Sequence, residues 1–164
     1  MRILLMLLCF VIAVFLGIIS VLIIGNITFV SLVNLAVKTG HYAIDPFAGP
    51  ENYGASFAIV LGSILHFLTG LLAGAIAGWQ IYRLRQSFMP VFHLPALAWL
   101  GLNAGLTYLA AGLLSGTAAA IFLYSGSTVA GSASITYQIR VFSIVLVAIA
   151  CLSFNFVLPS LLAE

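Results

Sequence analysis

Charge is the scarcest property of this chain. Of 164 residues, 5 are Lys or Arg and 3 are Asp or Glu, where an ordinary soluble domain carries roughly 25% charged residues. With 64% hydrophobic residues and a mean hydropathy of +1.30, the chain has too little charge to meet water, which excludes a soluble globular protein and implies an integral membrane one. Five basic residues make no patch, so nucleic-acid binding is excluded too. Also missing are a Gly-rich phosphate loop, a Cys/His metal motif and a nucleophile beside a base at recognisable spacing. The two cysteines, Cys9 and Cys151, fall inside apolar runs, where they read as small apolar fillers and leave the redox compartment unspecified.

What is present is a set of long uncharged runs, from Arg2 to Lys38, Glu51 to Arg83, Arg85 to Arg140 and Arg140 to Glu164. An uncharged apolar run of about 18 residues or more suffices to cross a hydrocarbon core ~30 Å thick. The expected fold is all-α, with four transmembrane helices in an antiparallel up-down bundle forming a single membrane domain over residues 1–164. Their expected ranges are Ile3 to Ile24, Ala55 to Tyr82, Pro95 to Tyr124 and Ile139 to Leu161. A spanning β-barrel is excluded, because barrel strands alternate in polarity and Leu4 to Ile24 is apolar on every side. Ser125, Gly126, Ser127, Thr128, Gly131, Ser132, Ser134 and Thr136 mark a loop inside the third run.

At the amino-terminal end, the uncharged run would make a helix of about 52 Å, longer than the core needs. Gly25 and Asn26 offer a break, leaving Ile27 to Val37 as a helical extension into the interface or a short segment packed on partners. The apolar run far exceeds the 7–15 residues expected of a signal peptide core. Arg2, Arg83 and Arg85 fall on one side of the expected bundle, and Lys38 and Arg140 on the other. Basic residues gather on the cytoplasmic side, so both termini are expected inside, in a bacterial inner membrane or an organellar inner membrane. Trp79, Tyr42, Tyr53, Tyr82, Tyr124 and Tyr137 stand near span boundaries, where amphipathic rings favour the headgroup level.

Small residues give the clearest packing signal. Gly70, Gly74 and Gly78 repeat every fourth residue in the second span, with Ser63 on the same side, and Gly101, Gly105, Gly112 and Gly116 share an arc of about 60° in the third. Such stripes let backbones approach closely in lipid. The second and third helices are therefore expected to pack on each other, or on partner helices, along these faces. The run Gly70 to Gly74 also recurs as Gly112 to Gly116, at an offset of 42 residues.

His66 is an ionisable group at mid-membrane depth and so a functional candidate by default. It is suited to contact a quinone or haem, to relay a proton, or to hydrogen-bond Ser63, Thr69 or a neighbouring helix. His41 and His93 lie at other depths, so no second ligand for a two-His haem is in place, and no resident cofactor is expected beyond lipid. Asn103 sits between the glycines of the third span, where a buried amide bonds across helices. His41, Asp45 and Glu51 lie among Pro46, Gly49 and Pro50, a series of turns with no helix to fix metal-ligand spacing.

The segment Ser63-Ile64-Leu65-His66-Phe67-Leu68-Thr69-Gly70 resembles the Ser-x-x-His-Arg-x-Ser/Thr-Gly stretch of the membrane-anchor cytochrome b subunit of succinate dehydrogenase. In that family the stretch borders the quinone site. The likeness covers eight residues; Phe67 replaces the family's Arg, and Tyr108-Leu109 stands where a haem-ligating His is wanted. The family's function is not carried over, but a quinone-side location stays among the alternatives.

Two readings follow. The favoured one is a noncatalytic accessory subunit of a larger membrane complex, of energy-converting or secretion type, with lipid and larger integral subunits as partners. The alternative is a small oligomeric pore, carrier or quinone- or haem-contacting protein built around His66 and Asn103.

Overall fold

The computed structural model describes residues 2–39, 53–87, 94–126 and 135–161. Among these the chain is helical, in four elements: α1 (Arg2–Lys38), α2 (Tyr53–Ser87), α3 (Leu94–Gly126) and α4 (Ile135–Leu161). Each contains a stretch long and apolar enough to cross a membrane: Leu7–Lys38, Ile59–Gln80, Leu100–Leu123 and Ile135–Asn155. The outer-loop residues His41, Asp45 and Glu51, with His93, lie outside the described residues.

The expected break in the first run is absent. α1 continues through Gly25 and Asn26 to Lys38. The Asn26 side chain does not compete for that backbone; its Nδ2 donates to the Leu22 carbonyl one turn back, at 2.7 Å. The helix ends where Thr39 donates from both its backbone N and its hydroxyl to Leu35 O, at 2.9 and 2.8 Å. These bonds occupy a carbonyl that a helix end leaves open.

One face of the segment 27–37 packs within the chain. Phe29, Leu32, Val33 and Ala36 are buried with Ala119 and Ala120 of α3 and Tyr137 of α4, with Leu123, Val141 and Ile144 packed around them. Tyr137 thus belongs to the packed interior, whereas Trp79 is exposed. α4 begins at Ile135, four residues before the expected Ile139, and this first turn carries Tyr137 into the cluster.

The glycine faces of α2 and α3 both turn to α1, not to each other. An added Cβ at Gly70 would come within 2.8 Å of Ile18 Cα, at Gly74 within 2.5 Å of Val14 Cα, and at Gly78 within 2.5 Å of the Phe10 ring. On α3, a Cβ at Gly112 would meet Ile24 at 2.6 Å, and one at Gly116 would meet the Gly25 carbonyl at 2.5 Å. α1 answers with its own small residues: a Cβ at Gly17 would lie 2.8 Å from the backbone of Gly70 and Gly74. The two matching pentapeptides, Gly70 to Gly74 and Gly112 to Gly116, therefore grip the same helix. Gly101 and Gly105 depart from the expected face, with nothing within 4 Å of an added Cβ.

Pair by pair, the contacts run in order. Down α1, Phe10, Val14, Ile18 and Gly25 meet Gly78, Gly74, Gly70 and His66 in turn, while Ala13, Ile24 and Thr28 meet Tyr108, Gly112 and Gly116. α1 thus reads α2 backwards and α3 forwards. α4 rests chiefly on α3, and most of its large apolar side chains face outward, among them Ile135, Ile139, Phe142 and Phe154. Cys9 and Cys151 are free and half-buried.

Candidate functional site: a polar seam along α3

Seven polar side chains are buried among the described residues: Thr28, His66, Asn103, Thr107, Ser115, Thr117 and Asn155. Four of them sit on α3, which touches all three other helices, so this helix carries most of the polar contacts between helices. Away from water, an unpaired polar group costs about 1–3 kcal/mol, and each of these contacts has a structural reason in that cost.

His66 is fully buried, at 0% exposure. Its Nδ1 lies 3.0 Å from the Ser115 hydroxyl on α3, and that hydroxyl donates to the Gly112 carbonyl at 3.2 Å. A serine has one proton to give, so Nδ1–H donates to Ser115 Oγ and Nε2 is the accepting nitrogen. This assignment follows from the hydrogen-bond geometry. Of the partners expected from the sequence, His66 takes the neighbouring helix; Ser63 is half-buried on α2, and the Thr69 hydroxyl donates to its own helix at Leu65 O. Across α1, Gly25 presses on the ring, since a Cβ there would fall 2.8 Å from His66 Cγ and Nδ1.

Asn103, 2% exposed, bonds across helices by donating from Nδ2 to Gln80 Oε1 on α2 at 2.9 Å. Its own carbonyl accepts from Thr107 Oγ1 at 2.9 Å. Asn155 Nδ2 on α4 then donates to that Thr107 oxygen at 2.8 Å. The run Gln80, Asn103, Thr107, Asn155 thus joins α2, α3 and α4. Farther along, Tyr108 OH donates to Ala13 O on α1 at 2.8 Å. His66 and Tyr108, each four residues before the first glycine of its pentapeptide, both lie against α1.

Three buried atoms have no hydrogen-bond partner among the described residues: His66 Nε2, Asn103 Oδ1 and Asn155 Oδ1. His66 and Asn103 are not brought together; each belongs to a separate part of the seam. The glycines Gly70, Gly74, Gly78, Gly112 and Gly116 lie at helix contacts, and Gly101 and Gly105 do not. Sequence reading missed Gly17 as a packing residue, treated Gly25 as a break, and passed over Ser115, Thr107 and Gln80. Gly17 and Gly25 carried a usable signal, the two glycines of a run made mostly of larger residues. Among the described residues no three His, Cys, Asp or Glu gather as a metal-binding group.

Set against protein-family models, curated proteins and solved structures, the chain matches none of them.

Proposed function

We propose that the chain is a noncatalytic accessory subunit of a larger membrane complex, of energy-converting or secretion type, acting in assembly and stability through helix packing. In this reading it is an integral membrane protein of a bacterial or organellar inner membrane, crossing as an antiparallel up-down bundle with both termini on the cytoplasmic or matrix side. The contact order supports the bundle, since α1 meets α2 in reverse and α3 in the same direction. One observation carries the functional reading: the buried polar groups bond from helix to helix, while the outer faces of α1 and α4 expose large apolar side chains. Side chains spent on holding helices together, inside an apolar coat, suit a packing subunit among lipid and larger integral subunits.

A second reading, a small oligomeric pore, carrier or quinone- or haem-contacting protein, draws on the unpartnered His66 Nε2 and Asn103 Oδ1. Against it stands the burial of both residues, which keeps them from any open path. The test is extraction from the native membrane in mild detergent, native-size separation and mass spectrometry. Comigration with a fixed set of larger membrane proteins is the expected result, whereas a small homo-oligomer would overturn it in favour of the second reading.

A further inference from the structure

The geometry points to a single water molecule bound on His66 Nε2, in a recess over Gly62 between α2 and α3. Two independent observations place it. The first is chemical: His66 is 0% exposed, its Nδ1 is engaged with Ser115, and its Nε2 is a buried acceptor without a partner among the described residues. The second is steric. A long helical side chain leans toward the preceding turn, so His66 hangs over Gly62, four residues earlier. There an added Cβ would meet only Ala119 Cβ at 3.5 Å and His66 Nε2 at 3.8 Å, both ordinary contact distances. Gly62 differs in this from Gly17, Gly25, Gly70, Gly74, Gly78, Gly112 and Gly116, where a Cβ would press to within 2.8 Å of a neighbour.

Since a methyl on Gly62 would sit in ordinary contact, the space over it takes one small group, and His66 Nε2 is the polar atom beside it among the described residues. Water fits because it is small and donates to Nε2, and buried waters characteristically satisfy such groups. A headgroup or other bulky hydroxyl does not reach a fully buried ring. The water would fix His66 in the Nδ1–H form, with both ring nitrogens engaged. The site stands whichever assembly the chain joins.

The test uses the full chain in detergent or bilayer with 15N-labelled histidine, the His66 signals being assigned by loss in His66→Gln. Wild type is expected to show magnetisation transfer from water protons to the His66 ring and an Nε2 shift typical of a hydrogen-bonded acceptor. A free-acceptor shift with no transfer from water would overturn the proposal. Two substitutions give a second, separate reading through reversible unfolding. Gly62→Ala puts a methyl in the water's place and leaves Nε2 bare, so the folded-to-unfolded ratio should fall about tenfold. Gly62→Ser supplies its own hydroxyl and should restore that ratio to within about threefold of wild type. A dry recess predicts the opposite order, with Gly62→Ala raising the ratio about fivefold as a better helix former in available space.

Discussion

The imidazole of His66 lies against the backbone of Gly25, so closely that a Cβ on that glycine would stand 2.8 Å from Nδ1. The ring cannot retreat freely, because Ser115 holds its Nδ1 from α3. Gly25→Ala is therefore expected to cost about 1–3 kcal/mol, the range for forcing atoms into a packed interior. The check is the unfolding midpoint of the detergent-solubilised protein in an SDS titration followed by circular dichroism. An unchanged midpoint would mean that the ring yields without penalty.

The glycines divide into two groups with opposite expected signs. Gly74→Ala and Gly116→Ala should each destabilise, since their added Cβ atoms would stand 2.5 Å from the α1 backbone. Gly101→Ala and Gly105→Ala have open space and should be neutral or stabilising, by up to about 1 kcal/mol from helix propensity. The same titration reads all four. Loss of stability at Gly101 or Gly105 in the isolated protein would contradict the open face described here.

Asn155 and Thr107 fasten α4 to α3. A double-mutant cycle of Asn155→Ala and Thr107→Val should give a coupling of about 0.6 kcal/mol, with ~1.7 kcal/mol as the upper end seen for side-chain hydrogen bonds between membrane helices. Strictly additive losses would show that the bond contributes nothing to holding α4.

Two hydroxyls on α3 should differ in worth. Tyr108→Phe removes a donor from Ala13 O, a carbonyl within a helix that retains its backbone bond, and should cost only about 0.6 kcal/mol. Ser115→Ala strands the Nδ1–H of a fully buried histidine and should cost about 1–3 kcal/mol. Equal losses, measured by the same unfolding assay, would refute the distinction.

The four helices were legible in the sequence because each lies in a long run free of charge, a coarse and local pattern. The path of α1 was not. Gly25 and Asn26 read as a break on propensities learned from water, where a freed backbone finds solvent; here Asn26 bonds Leu22 O and Gly25 serves close packing. The small-residue stripes of α2 and α3 were visible, but a stripe states only that something approaches. That the something is α1 depends on which large-residue helix also carries a glycine at matching depth, and Gly17 and Gly25 are two residues in a run of 37. His66 stood out as buried and polar, yet its partner Ser115 lies 49 positions away, beyond any local pattern.

Because α1 divides its contacts between α2, along Phe10 to Gly25, and α3, along Ala13 to Ala36, its position bears on the order of events during synthesis. Chains are made from the amino terminus and fold as they emerge, so of these four helices α1 emerges first, with both of its glycines bare. Gly17 finds its match when α2 arrives, Gly25 is enclosed only when α3 follows, and α4 comes last to cover Phe29 and Val33 through Tyr137. Of the four, the helix made earliest is thus the one that waits longest to be completed.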